Sequence, residues 1–470
     1  MLRITWLQFK HSLKNWLLTL LLFVVTGFLT GTCLNAIFTI RDHFPNLPKE
    51  LNPSAVFEYP LIFGLVTILI VSSGVVKLII NGARREYTLW TILGANPQQL
   101  SGLIGGQLAL IGALGSLIGF VLAVPGMVPL NTWLIISFGL KSFFQKVGVF
   151  PFEFSVTACL LTVGFMAVTS GVAGYLHAHK LFAHGQNEIL TTAKPRSLRQ
   201  LISHWLVVIV SSVGLVFVYG DSLIITPQAR HYLRAGNFHE AGKAYIPNLL
   251  LIVLLSIILF TAIARLILPW LIKLWTIMLP KRTSSAVNTA FWSTTFDKDY
   301  LASLISPLVA GSFMLTGITY IASDITNFGT NQEAAANTAA SIISFVGTPL
   351  LIILANVLTI TIMTNARKRA DLTQLSVLGF TPQNLINEKW QEAFIYATTF
   401  LICAVISNIP LYLVVTHLVI ATHNAVTLPW TAIFIWPVWL WPVIMIFIAV
   451  VGVIQVRYVA VKTYNYETNC

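Results

Sequence analysis

RREYTLWTILGANPQQL occupies residues 84–100, and RADLTQLSVLGFTPQNL occupies residues 369–385. At a single offset of 285 positions, Arg84 falls on Arg369, Thr88 on Thr373, Leu93-Gly94 on Leu378-Gly379, Pro97-Gln98 on Pro382-Gln383 and Leu100 on Leu385. The acidic position is kept as Glu86 against Asp371. Each copy follows an apolar run of membrane length. A repeat this long at one offset predicts two structurally equivalent halves. Since it lies between apolar helices, it predicts a membrane machine that offers the same cytoplasmic surface twice.

The rest of the chain agrees with that reading. It is 56% hydrophobic and only 9% charged, with a mean hydropathy of +0.80; a soluble domain carries about a quarter charged residues. The apolar residues gather into ten runs of roughly bilayer length, at about 16–40, 58–80, 103–125, 154–176, 201–219, 248–272, 300–323, 341–364, 391–415 and 434–456. The 285-residue offset carries the first four onto the last four within a few residues, whereas the fifth and sixth have no counterpart. The expected fold is therefore an all-α polytopic membrane protein. A first four-helix unit covers 1–180, a linker and joining helix pair 181–285, and a second four-helix unit 286–470.

Charge placement predicts the orientation. With both termini in the cytoplasm, 21 of the 28 Lys and Arg residues lie inside, Lys389 among them, and 7 lie outside (Arg41, Lys49, Lys141, Lys146, Arg230, Arg234 and Lys243). This is the positive-inside bias. The net charge of +12 is then topology and contact with anionic membrane lipid, and no soluble basic domain exists to hold nucleic acid.

Other classes are excluded in the same way. The outside loops are too short to form a core of their own, since independent domains rarely fall below about 40 residues. The longest covers about 220–247, and the one at about 126–153 has room for a short interfacial helix from Trp133 to Phe144. No cytoplasmic segment has catalytic size, so the chain is not expected to be an enzyme. Cys33, Cys159 and Cys403 sit inside apolar runs and Cys470 is the last residue, without disulfide or metal spacing. His177, His179 and His184 lack an acidic or Cys partner nearby and read as a hydrated basic linker rather than a metal site. The segment Gly236 to Ala244 imitates a phosphate loop, but its spacing is too long and Ala244 replaces the metal-binding hydroxyl.

The repeated stretch itself reads as an elbow. Glu86 to Leu93 and Asp371 to Leu378 have helical patterning. Gly94 and Gly379 follow the leucine that ends it, as a left-handed C-cap requires. Pro97 and Pro382 stand three residues later, where a new helix can start. Helix, glycine stop, proline start and next membrane helix together make an elbow at the same place in both halves. Intramembrane Asn35, Asn356 and Asn408 are expected to hydrogen-bond between helices and are candidates for touching substrate. Gly112, Gly115 and Gly119 suit close helix packing, and Trp430, Trp436, Trp439 and Trp441 read as an aromatic belt.

A basic residue, an acidic residue and then Leu-Gly-x-x-Pro-x-x-Leu after a transmembrane helix resembles the FtsX-like permeases of ATP-binding cassette (ABC) transporters. The ten-helix, two-unit plan is most similar to the bacitracin and antimicrobial-peptide resistance type, although the large extracellular domain of that type is missing here. The resemblance implies that the elbows are coupling helices seated on a separate ATPase subunit, in two copies per permease chain. Arg84, Arg85, Glu86, Leu93 and Gly94 would contact one copy, and Arg369, Asp371, Leu378 and Gly379 the other. It implies that ATP and Mg are held by that partner, with no cofactor in this chain, and that the location is the bacterial cytoplasmic membrane. The expected function is export or clearance of a hydrophobic or amphipathic substrate such as an antimicrobial peptide or lipid. Two alternatives stay open: an ATPase-driven transmembrane regulator of a cell-wall hydrolase or sensor kinase, and an ion-coupled secondary transporter, which would need charges near the midplane and broken helices.

Overall fold

The computed structural model describes residues 2–43, 97–137, 153–182, 198–235, 245–277, 285–296, 298–326, 347–361, 371–421 and 429–467, with scattered positions between 54 and 96. Among the described residues every regular element is a helix and no strand occurs. In chain order they are α1 (Leu2–His43), α2 (Pro60–Val76), α3 (Pro97–Ser137), α4 (Val156–Phe182), α5 (Leu198–Leu223), α6 (Pro227–Arg234) and α7 (Ile246–Thr276). Then follow α8 (Ser285–Phe296), α9 (Lys298–Thr326), α10 (Gly347–Thr361), α11 (371–377), α12 (Pro382–Ala421) and α13 (Ala432–Glu467). Eight of them (α1, α3, α4, α5, α7, α9, α12 and α13) are long and apolar enough to cross a membrane. The chain is a helical, multi-pass membrane protein. Of the ten expected spans, the second and eighth correspond to α2 and α10, which are shorter apolar helices; α2 runs over positions outside the described residues.

The chain packs as two compact units, one formed by residues 1–196 with 328–359 and the other by residues 197–327 with 360–470. In the first, α3 lies between α1 and α4. Its glycines allow close approach: a Cβ on Gly115 would lie 2.6 Å from Phe23 Cβ, and one on Gly119 would run into the Val24 carbonyl. From the other helix, a Cβ on Gly27 would sit 2.6 Å from the Ser116 carbonyl oxygen. Gly112 meets Ser170 of α4, whose hydroxyl donates to the Leu108 carbonyl of α3 at 3.0 Å. Lipid offers little hydrophobic gain for helix association, so such close approach supplies it through dispersion. Farther along, Phe120, Ala123 and Met127 of α3 bury against Ala158 of α4. The sequence-equivalent helices α2 and α10 also meet in this unit, where a Cβ on Gly64 would lie 3.0 Å from Thr348 Cγ2.

Asn35 is a structural residue. Its amide donates to the Glu153 carbonyl at 2.9 Å and accepts from the Ser155 N–H at 2.8 Å, pinning the chain just before α4. Residues Trp133–Ser137 continue α3 rather than opening an interfacial helix, and 138–150 lie outside the described residues.

In the second unit α12 packs against α8, α9 and α13, while α7 packs against α5 and α9. One of these joints depends on proline. Pro437 inside α13 has no N–H to return to the Ile433 carbonyl four residues earlier. Asn408 of α12 supplies the missing donor at 3.1 Å, and the same amide group donates to Thr316 Oγ1 of α9 at 3.1 Å. Pro125 in α3 and Pro410 in α12 stand at matching positions of the repeat. The four tryptophans near α13 divide into two kinds. Trp430 and Trp439 are exposed, as a belt requires, whereas Trp436 donates to Thr319 at 2.8 Å and Trp441 to Thr398 at 3.4 Å. On the expected outer side, Thr226 caps α6, and the Tyr245 hydroxyl accepts from Thr226 N–H and donates to the Ile224 carbonyl.

Candidate coupling elbows

Among the described residues, Gly94 and Gly379 are the two glycines with positive φ, and both have φ of 91°. An L-side chain at that φ is strained, so glycine is required for the turn and not for space; a Cβ at either position would meet nothing within 4 Å.

The second elbow is described in full from Asp371 onward. Helix α11 ends in a paired C-cap: Gly379 N–H donates to the Ser376 carbonyl and Phe380 N–H to the Leu375 carbonyl, each at 3.1 Å. These are the two bonds of a Schellman motif. Thr381 then caps the next helix, its side chain accepting from Asn384 N–H at 3.3 Å, and Pro382 takes the first helical position. The first elbow repeats the second half of this plan. Asn96 accepts from Gln98 N–H at 3.0 Å, and α3 starts at Pro97. Leu100 and Leu385, one turn into each new helix, are both buried.

The second elbow has an inner and an outer face. Leu372 buries against Leu385 and Val456, with Leu375, Phe380 and Ile386 packed around them. Asp371, Thr373 and Gln374 are exposed, and at the tip Val377 is 83% and Leu378 75% exposed. The turn therefore anchors on the ends of α12 and α13 and presents an apolar pair flanked by polar side chains. Of the sequence-predicted site residues, Gly94, Asp371, Leu378 and Gly379 occupy these turns. Arg84, Arg85, Glu86, Leu93 and Arg369 lie outside the described residues. Gly94 belongs to the first compact unit and Gly379 to the second.

One group of residues beside the second elbow was not foreseen as a group. Glu388, Lys389 and Glu392, in the second and third turns of α12, are buried, Lys389 at 5% exposure. Lys389 Nζ lies 2.8 Å from a Glu392 carboxylate oxygen and 3.3 Å from one of Glu388. Glu392 also accepts from the Tyr396 hydroxyl at 3.3 Å, and the Tyr396 ring stands edge-on to Tyr300 of α9. The lysine stem packs on Gly452 of α13, where a Cβ would come within 3.0 Å of it. Lys389 is thus held between carboxylates rather than free in the cytoplasm, as a simple count of inside charges supposes. The signal was present as Glu, Lys and Glu at i, i+1 and i+4, but the apolar run at 391–415 starts after the first two.

Among the remaining candidates, His179 stacks on Tyr175 with ring centroids 5.8 Å apart, and His184 lies outside the described residues. Comparison with protein-family models finds none that matches the chain, and comparison with characterised proteins finds no match either.

Proposed function

We propose that this chain is the membrane subunit of an ABC transporter of the FtsX-like kind, working with a separate ATPase in two copies. Its task is to export or clear a hydrophobic or amphipathic compound, such as an antimicrobial peptide or a lipid, from the bacterial cytoplasmic membrane. The observation that carries this reading is the matched pair of turns: Gly94 and Gly379 share one backbone angle, and each is followed by a capped, proline-started helix. We take the full membrane plan to be ten helices, two units of four with a joining pair, and both termini cytoplasmic.

In this reading each elbow is a handle. Helices α3 and α12 have 41 and 40 residues, or about 60 Å at 1.5 Å per residue, against a hydrocarbon core of about 30 Å. A displacement at Pro97 or Pro382 is therefore delivered along a single helix to the far side of the bilayer. The exposed Val377 and Leu378 offer an apolar tip for a groove on the ATPase, with Asp371 available to a basic residue there. ATP and Mg are held by that partner.

Affinity purification of the tagged chain in mild detergent tests the class. A stoichiometric ATPase, near two per chain, supports the transporter; an intact permease without one counts against it. A double variant, Glu86→Gln with Asp371→Asn, is expected to uncouple ATP hydrolysis from transport, and unchanged coupling would refute the elbow assignment.

A second reading, an ion-coupled secondary transporter, draws support from the buried Glu388–Lys389–Glu392 cluster and from Pro307, Pro410 and Pro437 inside helices. Transport that survives deletion of every associated ATPase would select it.

A further inference from the structure

We propose that the seam between α9 and α12 in the second unit is a binding site for ordered water, built from Ser312, Asn408 and Tyr320. This inference goes beyond the transporter reading and does not rest on it.

Asn408 decides the polarity of the site. Its Nδ2 donates both hydrogens, one to Thr316 Oγ1 and one to the Ile433 carbonyl, each at 3.1 Å. Turning the amide over would set its oxygen against the Ile433 carbonyl oxygen, so the network fixes Oδ1 as an acceptor pointing elsewhere. Thr316 is fully occupied as well, since its hydroxyl donates to the Ser312 carbonyl at 2.9 Å while accepting from Asn408. Three polar atoms then remain without a partner among the described residues: Asn408 Oδ1, Ser312 Oγ and the Tyr320 hydroxyl. Asn408 and Ser312 are completely enclosed and Tyr320 is 2% exposed.

These atoms share a place. Ser312, Thr316 and Tyr320 stand at i, i+4 and i+8, hence on one face of α9. Asn408 reaches that face at Thr316, and Tyr412, one turn farther along α12, has its ring centroid 6.3 Å from that of Tyr320. Ser116, by contrast, donates to the carbonyl four residues earlier, the usual outlet for a hydroxyl in an apolar helix. Three buried polar atoms without a partner along one seam call for partners that the described side chains do not supply. A buried water needs two to four polar partners, and the seam offers them to more than one water: Asn408 Oδ1 accepts, and the Ser312 and Tyr320 hydroxyls, on residues about 12 Å apart along the helix at 1.5 Å per residue, each donate or accept.

The first unit argues the same way by contrast. At the 285-residue offset, Ser312, Thr316 and Asn408 fall on Gly27, Gly31 and Ala123, and Tyr320 falls on Asn35, whose amide is bonded to Glu153 and Ser155. The first three carry no polar side-chain atom and Asn35 has its own partners; there Gly27 lies against the Ser116 backbone and Gly31 against the Phe120 ring.

The sign of a stability change separates a wet seam from a dry one. Removing an unpaired buried hydroxyl relieves a cost, whereas removing one that holds water loses bonds. Tyr320→Phe and Ser312→Ala are to be made singly in the full chain, and thermal unfolding followed in detergent. The expected result is that each lowers Tm by about 2 °C; a rise or no change in both would overturn the site. Radiolytic hydroxyl-radical labelling of the wild-type protein gives an independent readout. Tyr320 should oxidise several-fold faster than Tyr300, which is equally buried on the same helix, and Ser312→Ala should slow it. Equal rates at the two tyrosines would overturn the proposal.

Discussion

In the first unit, α1 and α3 meet through glycine. At the matching positions of the second unit, α9 and α12 carry side chains. Gly27 and Gly31 become Ser312 and Thr316, Gly115 and Gly119 become Phe400 and Ala404, and Ala123 becomes Asn408. The contrast continues toward the elbow, where Leu103, Ile104 and Gln107 become Glu388, Lys389 and Glu392. The repeat has thus kept its turns and exchanged the chemistry of the helices that the turns start. One helix pair is joined by close-range dispersion, which is short-ranged and has no register beyond shape. The other is tied by a directional hydrogen bond from Asn408 to Thr316, which loses strength when those groups move, while the ion pair of Lys389 with Glu388 and Glu392 lies within α12 itself. Gln107 marks the exchange: it stands where Glu392 does, is buried, and has neither amide atom bonded among the described residues.

The largest effect should come from the ion cluster. Lys389→Met removes the ammonium between Glu388 and Glu392 and is expected to cost about 3–5 kcal/mol, since it takes one partner out of a buried ion pair. A large drop in the yield of monodisperse protein, read by size-exclusion chromatography, checks it. The triple change Glu388→Leu, Lys389→Ile and Glu392→Gln, which writes in the first unit's residues, should recover much of the loss, because it removes both buried carboxylate charges together with the ammonium.

Next in size is the exchange across the glycine seam. Gly27→Ser writes the second unit's residue into the first, and its Cβ meets the Ser116 backbone, which cannot rotate away. A cost of about 1–3 kcal/mol is expected from overpacking. The reverse change, Ser312→Gly, should cost less, about 0.5 kcal/mol from helix propensity together with the loss of the hydroxyl's bonds to water. Comparing the two melting temperatures tests whether the units differ in closeness of packing; equal shifts would break the comparison.

The elbows should behave alike in both units. Gly94→Ala and Gly379→Ala force a Cβ onto φ of 91° and should each cost about 1–2 kcal/mol. Protease sensitivity at the two turns would show it, and a loss at only one would mean that the turns are not equivalent. The smallest effect belongs to the caps. Asn96→Ala and Thr381→Ala each remove one side-chain acceptor from a helix start and should cost about 1 kcal/mol, measurable as faster amide exchange at Gln98 and Asn384.

Much of this was legible in the residues alone. The Leu-Gly-x-x-Pro spacing placed both positive-φ glycines, the helix stop at Gly379 and both proline starts at the positions the structure shows, because such turns are decided by φ and by a missing N–H within a few residues. Run lengths and composition marked the eight long helices, since burial in lipid needs only sustained apolarity. The glycines at 112, 115 and 119 announced close packing by having no side chain. Which residues pair across helices could not be read in this way. Asn35, Asn356 and Asn408 look the same in sequence, yet Asn35 caps the entry to α4, Asn408 repairs the gap left by Pro437, and Asn356 is buried with no partner among the described residues. Trp436 and Trp439 sit three residues apart, and one turns to Thr319 while the other faces outward. Lys389 reads as one more cytoplasmic cation until Glu392 and Gly452 enclose it. Local backbone geometry and overall apolarity follow from neighbours along the chain, so the sequence by itself determined them. The partner of a polar side chain depends on helix rotation and on residues tens to hundreds of positions away, and that only the tertiary structure decided.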